Sequence, residues 1–316
     1  MQHIPQANLN DFLSEDPDRK AAFVQHVGAS FKEIGFLALK GHFLEEKLQE
    51  DLYREIKTFF ALPTKTKEAY EIQGGGGQRG YTGFGKEHAE GRTTGDLKEF
   101  WQVGQPDPPA NGDPVHFPSN QRVAELPAFQ STAVDAFRAL ETLGQTVLRA
   151  IAIHLGVEED YFHNWVAGGN SILRAIHYPP ILSAPSSAVR AGQHEDINLI
   201  TLLMGASAEG LEVLNKQGEW VGITAIPGSL VVNVGDMLQR LTNGYLKSTT
   251  HRVVNPPQEK WAQPRYSIPF FLHPVGKMPL NALAQCISEA RPKAFTDITA
   301  GDYLDERLVE IGLKKK

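Results

Sequence analysis

A single cysteine, Cys286, stands in 316 residues, so the chain has no internal disulfide and gains nothing from an oxidising compartment. A surplus of basic charge is missing too: 31 Lys and Arg face 37 Asp and Glu, for a formal net charge of -6. Nucleic acids and anionic membranes bind mainly through basic surface, so neither is expected as a partner. The one basic run, Lys314 to Lys316, reads as a solvated end. No apolar run reaches the 18 residues of a membrane span, and Met1-Gln2-His3-Ile4-Pro5-Gln6 lacks the basic flank and apolar stretch of a secretory signal. Internal repeats and the glycine fingerprint of a dinucleotide-binding βαβ unit are also absent. The expectation is a globular, cytoplasmic protein, and 41% hydrophobic residues suffice for a sizeable core.

The texture of the chain changes partway along. Residues 19 to 62 read as a helix, a short apolar strand from Ile34 to Lys40, and a second helix from Leu44 to Phe60 that Pro63 ends. Residues 73 to 118 read as loop, from the density of Gly74 to Gly77, Gly80, Gly83, Gly85, Gly91, Gly95, Pro106, Pro108 and Pro109. The four consecutive glycines do not make a phosphate cradle, because no Lys-Ser or Lys-Thr follows them. Between Leu126 and Leu155 apolar residues recur at helical spacing, which predicts a long amphipathic helix. After Gly169 short strands alternate with turns: Ile172 to Tyr178, Ile197 to Met204, Leu211 to Leu214, Trp220 to Ile223, Leu230 to Val234, His251 to Val253 and Tyr266 to Leu272. A helix is expected again from about Asp302 to Ile311. The fold class expected is mainly β with helical support, the strands forming a sandwich or barrel.

Chemistry concentrates in the strand-rich half. A facial non-haem Fe(II) centre needs two imidazoles and one carboxylate on one side of the metal. His194-Glu195-Asp196 offers a histidine and a carboxylate on one face if the segment is a strand, with Glu195 turned away. His88-Ala89-Glu90 is a competing match, but it lies among glycines and charges with no strand to hold it. His251 is the best third ligand and His273 a poorer one, while His154 and His177 read as packing residues. Arg265 and Ser267 lie two apart in a strand, so a guanidinium fork and a hydroxyl can grip one carboxylate. By the same period Pro269 and Phe271 follow on that face, Phe271 lining a pocket or packing in the core.

These residues resemble the isopenicillin N synthase-like family of Fe(II)- and 2-oxoglutarate-dependent oxygenases, over nearly the whole chain. Gly35-Phe36 through Gly41-His42 is similar to the family's first strand, and Phe59 through Lys67 to the end of its second helix. Gly80-Tyr81 and Asp96-Leu97-Lys98-Glu99 resemble its middle segment, and Tyr178-Pro179-Pro180 the element that opens its catalytic barrel. Asn233-Val234-Gly235-Asp236, Thr242-Asn243-Gly244 and Ser248 through Arg252 resemble the approach to its distal histidine. The resemblance implies a double-stranded β-helix (jelly roll, cupin-like). It implies Fe(II) on His194, Asp196 and His251, with 2-oxoglutarate as co-substrate and O2 as oxidant. The far carboxylate of 2-oxoglutarate would then rest on Arg265 and Ser267, helped by Tyr178. Where plant members carry Asn two residues before that tyrosine, Ile176 stands here, so a plant-type substrate is not expected.

Four segments of one structural unit are expected: 1–120, an N-terminal helix, strand and loop region; 121–168, the supporting helix; 169–280, the catalytic barrel; and 281–316, a helical end. The activity expected is a dioxygenase that hydroxylates or desaturates a small organic molecule with release of succinate and CO2. Arg174, at period-2 spacing from Ile176 and Tyr178, either faces the cavity or makes a structural ion pair, and Tyr81 and Phe84 on the glycine-rich loop are candidates to cover the substrate. Specificity is expected in the 73–118 loop, the Arg265 strand and the C-terminal helix. Alternatives are an oxidase that places its substrate's own carboxylate on Arg265 and Ser267, a zinc hydrolase, or a barrel that binds without catalysis. No apolar stripe beyond those assigned to the core is evident, so a monomer or weak homodimer is expected.

Overall fold

Helix ends in the computed structural model, which describes residues 4–73, 77–88, 94–107, 118–183, 188–204, 210–223 and 226–310, follow local chemistry. The Asp16 side chain accepts from the Asp18 and Arg19 amides and Pro17 occupies the first turn of α2, while α5 starts at Pro127 and stops at Gly156, whose φ of 71° suits glycine. The helices are α1 (Leu9–Phe12), α2 (Pro17–Glu33), α3 (Glu46–Phe60), α4 (Thr64–Glu68), α5 (Pro127–Leu155), α6 (His163–Val166), α7 (Asp236–Leu241) and α8 (Ala300–Glu310). The strands are β1 (Gln6–Asn8), β2 (Phe36–Lys40), β3 (Gly80–Thr82), β4 (Glu99–Gly104), β5 (Ile172–Tyr178) and β6 (Ala191–His194). They continue with β7 (Ile200–Met204), β8 (Leu211–Leu214), β9 (Trp220–Gly222), β10 (Leu230–Val234), β11 (His251–Val253) and β12 (Arg265–Leu272).

The strands form two sheets, ordered β1-β2-β10-β7-β12-β5-β4-β3 and β6-β11-β8-β9. Among the described residues only β1 and β2 pair in parallel; the other strand pairs are antiparallel. Both sheets contribute to the lining of one cavity, as in a double-stranded β-helix, and α5 packs on the outer face of the larger sheet. Phe137 of α5 meets Phe270 of β12 edge to face at 5.0 Å, joining helix and sheet through a core that runs from Phe23 to Met278. The N-terminal strands β1 to β4 flank the barrel strands β5, β7, β10 and β12 within the larger sheet.

Some expectations need correction. Within the segment read as loop, β3 and β4 are strands, and all six residues of β4 are buried. Phe100 packs with Ile176 and Tyr178 on the cavity side, whereas Trp101 and Val103 join the helix-side core. A strand covered on both faces shows no polar alternation, so periodicity does not reveal it. Asp196 is not in a strand: β6 ends at His194 and β7 starts at Ile200, so a bend rather than the strand period brings the two side chains together. Gly74 to Gly76, Glu90, Gly91, Pro108, Pro109, Ile311 and the lysines at 314 to 316 lie outside the described residues.

A buried polar node ties the N-terminal segment to the barrel. Glu99 accepts from Lys67 Nζ at 2.8 Å, from the Tyr81 hydroxyl and from His177 Nδ1 at 2.8 Å. Burial pushes the Glu99 carboxyl up, but the hydrogen bonds from His177, Lys67 and Tyr81 outweigh it and hold it below the usual range. A carboxyl held low in the folded state stabilises the fold above its unfolded pKa and loses that contribution as pH falls through the folded value. Glu99→Gln leaves Lys67 without its counter-charge and is expected to cost about 3 kcal/mol at pH 7, read by urea unfolding. The gap between variant and wild type should shrink below about pH 4; a gap that stays constant to pH 3 would contradict this account.

Candidate metal centre

Two imidazoles meet because two neighbouring strands put them opposite one another. His251 opens β11, His194 closes β6, and the two are direct partners in the antiparallel register. Their ring centroids are 4.4 Å apart. Asp196, in the bend after β6, brings Oδ1 to 3.8 Å from His194 Nε2 and 3.7 Å from His251 Nε2. The three ligand atoms lie within 4.8 Å of one another, and this is the one such grouping of His, Cys, Asp and Glu among the described residues.

The surroundings orient each donor. His194 Nδ1 lies 2.8 Å from the Gly192 carbonyl and His251 Nδ1 3.1 Å from the Thr249 carbonyl. A carbonyl only accepts, so both Nδ1 atoms carry hydrogen and both Nε2 lone pairs point at the shared centre. Asp196 Oδ2 accepts from Thr201 Oγ1 at 2.6 Å and from Asn233 Nδ2 at 2.8 Å, which leaves Oδ1 for the centre. Burial, helped by the neighbouring His251 and Lys98, drops the His194 pKa to about 4 and keeps its ring neutral. Burial raises Asp196, but His251, His194 and its two hydrogen bonds outweigh it and hold the carboxylate ionised. Two imidazole nitrogen donors and one carboxylate on one side of a point, open to a cavity on the other, suit a divalent iron with positions left for ligands.

That cavity measures about 180 Å³. Along β12 Arg265, Ser267, Pro269 and Phe271 line it, and along β5 Ile172, Arg174, Ile176 and Tyr178 do so, as the period of 2 requires. Arg265, 1% exposed, pairs in register with Tyr178 and holds its guanidinium carbon 5.0 Å from that ring's centroid. Arg174 meets both expectations at once. It faces the cavity, and its Nη1 sits 3.0 Å from Glu87 while Nε donates to Gln102 Oε1 at 2.8 Å. Its guanidinium also lies over Phe100 at 4.2 Å and near Phe271 at 5.4 Å.

Glu87 belongs to a chain of buried charges that sequence reasoning misses. Lys98 Nζ contacts Glu87 at 2.7 Å and Asp96 at 2.9 Å, and Asp96 Oδ1 accepts the Gly192 amide at 3.0 Å. Burial alone would raise the Glu87 carboxyl, yet Arg174 and Lys98 hold it down to about 2. No spacing rule finds such a network, because its members lie in separate segments. Thr201 and Asn233 escape sequence reasoning for the same reason. From the C-terminal helix, Leu304, Arg307 and Leu308 reach the cavity, as expected of that segment.

Two expected cover residues lie elsewhere. Tyr81 is 2% exposed, with its hydroxyl committed to Glu99, and does not line the cavity; Phe84 is 52% exposed and does not line it either. Gln78, Glu87 and His88 line the cavity from that part of the chain instead. His273 lines the cavity outside the three-residue cluster. His177 is held by Glu99 and stacks on Tyr266, and His154 packs against α2, where a Cβ at Gly28 would meet its ring at 2.1 Å.

Two family models match the chain: residues 4–124 the N-terminal region of non-haem dioxygenases described from morphine synthesis, and residues 169–274 the 2OG-Fe(II) oxygenase superfamily. The chain is 42% identical to a 2OG-Fe(II) oxygenase family protein of Caulobacter crescentus, with 98% of this chain and 99% of that one covered and a TM-score of 0.87. It is 32% identical to a full-length Neurospora crassa protein solved in complex with α-ketoglutarate and thymine, with 97% and 96% covered and a TM-score of 0.84. It is 31% identical to the 2-oxoglutarate-Fe(II) type oxidoreductase hxnY of Emericella nidulans, over 95% of this chain and 88% of that protein. With fold, donor set and relatives in agreement, the chain belongs to the isopenicillin N synthase-like Fe(II)- and 2-oxoglutarate-dependent oxygenases, dioxygenases that oxidise a small organic substrate with O2 while turning 2-oxoglutarate into succinate and CO2.

Proposed function

We propose that His194, Asp196 and His251 hold the Fe(II), and that Arg265 and Ser267, with Tyr178 against them, hold the far carboxylate of 2-oxoglutarate. We further propose that the substrate is a small, neutral, planar molecule carrying a carbonyl, seated against Phe271 and Arg174. The bound iron, 2-oxoglutarate and O2 supply the oxidising chemistry; the chain's residues supply position and a largely apolar enclosure. Relatives named 2-oxoglutarate-Fe(II) oxidoreductases, and the Neurospora protein solved with α-ketoglutarate, support this reading over the oxidase, hydrolase and non-catalytic alternatives.

One observation carries the substrate reading: the Arg174 charge is already met by Glu87. The buried set contains two acids, Glu87 and Asp96, and two bases, Lys98 and Arg174, so it has no net charge to offer an acidic substrate. Arg174 still has N–H groups beyond those donated to Glu87 and Gln102, and these suit a neutral acceptor such as a carbonyl oxygen. Burial drops the His273 pKa to about 4, so the imidazole adds polarity to the cavity without charge. Phe271 provides an aromatic face, and aliphatic side chains of Ile172, Leu304 and Leu308 surround it. The structures of the Neurospora protein with thymine and with 5-formyluracil support the same class, a neutral pyrimidine-type heterocycle.

We also propose that segments 1–120, 121–168, 169–280 and 281–316 act as one unit, supported by the shared larger sheet. A monomer or weak homodimer is supported by the scatter of large exposed apolar side chains, such as Leu13, Phe43 and Leu182. No helix among the described residues is long and apolar enough to cross a membrane. A cytoplasmic setting is supported by the lone, buried Cys286.

Anaerobic protein loaded with Fe(II) should develop a saturable visible charge-transfer band on titration with 2-oxoglutarate. His194→Ala should abolish the band, and Arg265→Ala should raise the half-saturating concentration about a hundredfold. A band unaffected by either change, in folded protein, would refute the assignment of those residues. For the substrate, a screen of succinate release should favour neutral carbonyl heterocycles over carboxylic acids of similar size. Arg174→Gln should lower kcat/KM for the best substrate by about ten- to a hundredfold, with the 2-oxoglutarate titration little changed. Preferential turnover of acids would overturn the neutral-substrate reading.

A further inference from the structure

We propose that Arg190 is a second cation of the pocket for the far carboxylate of 2-oxoglutarate, acting beside Arg265 on the opposite strand end. The inference rests on the placement of that carboxylate at Arg265 and Ser267 proposed above, and it assigns a role to a residue without a recognisable motif position.

Arg190 directly precedes β6, the strand that ends in His194, and is 1% exposed. Its guanidinium carbon lies 5.9 Å from the centroid of the Tyr178 ring, the same ring that Arg265 approaches to 5.0 Å. Two buried guanidiniums therefore share one aromatic side chain. Arg190 Nη2 donates to the Gln263 carbonyl at 3.0 Å, two residues before Arg265, so Arg190 also braces the backbone from which β12 begins. Its Nε is buried with no hydrogen-bond partner, and no ion pair joins it to a carboxylate among the described residues.

A guanidinium does not lose its charge in a protein, so burial without an anion is costly. The structure increases that cost by putting a second arginine nearby: after burial, the charge of Arg265 is the next influence lowering the Arg190 pKa, and Tyr178 only partly opposes it. Stability would be served by an acid or an apolar side chain at 190. An anion arriving beside the two arginines would offset that cost. The far carboxylate of the co-substrate is that anion, because the cavity runs from His194, Asp196 and His251 to Arg265 and Tyr178, and Arg190 stands next to Tyr178 just behind that lining. Tyr178, in register with Arg265, is itself buried, as both arginines are.

The test is equilibrium binding to anaerobic Fe(II)-loaded protein, read by calorimetry and by the charge-transfer band. Two ligands are compared: 2-oxoglutarate, and 2-oxopentanoate, which has the same chain length and a methyl group in place of the far carboxylate. Arg190→Met should weaken 2-oxoglutarate binding about tenfold and leave 2-oxopentanoate unchanged, while Arg190→Lys should recover most of the loss. If the Met variant does not fold, Arg190→Gln, which keeps a donor for the Gln263 carbonyl, replaces it with the same expected result. Unchanged 2-oxoglutarate affinity, or equal loss of both ligands, would overturn the proposal, the second outcome marking Arg190 as structural. Arg265→Met run in parallel separates the two readings. Its failure to weaken 2-oxoglutarate would remove the placement at Arg265 itself, whereas a loss there without one at Arg190 would remove only the second cation.

Discussion

The pairing of β6 with β11 is the constraint from which the site follows. Because His194 and His251 stand opposite each other in that register, their rings share one side of the smaller sheet at a separation one ion can bridge. A slip of one residue would turn one imidazole to the far side and leave the carboxylate with a single partner. The bend after His194 then has one task, to return Asp196 toward both rings, and Thr201 and Asn233 hold it there from β7 and β10. The His194, Asp196 and His251 cluster is thus set by the smaller sheet and clamped by the larger one.

The two ends of the cavity are electrostatically different, and that difference divides the work. Toward Arg265 the wall is cationic, with the Arg190 guanidinium 5.9 Å from the Tyr178 ring beside it, which suits the anionic end of a keto acid. Toward Glu87, Asp96, Lys98 and Arg174 the charges cancel within hydrogen-bond distance of one another. A neutral molecule meets donors there without meeting a field that would draw in a second 2-oxoglutarate. On the proposed neutral substrate, discrimination against a second keto acid would come from cancelling charge rather than from excluding it. The cancelled network also has a structural role, since Asp96 receives the Gly192 amide and so fastens the β4 approach to the strand that carries His194.

The N-terminal segment contributes more than cover. Strands β3 and β4 extend the larger sheet, and the Glu99 node on their outer face joins α4, β3 and β5 through one carboxylate. Neighbouring stretches of β4 thus serve two ends: Gln102 orients Arg174 inside the cavity, while Glu99 anchors Lys67 and His177 outside it. Tyr81, a sequence candidate to cover the substrate, is instead committed to this anchor. Its hydroxyl would be an orphan donor in the core without Glu99.

Much of the fold and of the metal site is legible in the sequence, for a physical reason. The long helix, the strands β5, β8, β10 and β12 and the pocket-facing set Arg265, Ser267 and Phe271 follow from periodicity, because side chains alternate at 2.0 or recur at 3.6 whatever the rest of the chain does. The identity of His194, Asp196 and His251 follows from ligand chemistry combined with motif order. Tertiary structure alone decided what depends on partners distant in sequence. It made β4 a strand through burial on both faces, placed Asp196 by a bend, and turned Arg174 into a neutralised donor by supplying Glu87. It also brought Arg190 to the same ring as Arg265. Periodicity is a property of one segment, whereas charge compensation and burial belong to pairs of segments, and only the folded chain determines which segments meet.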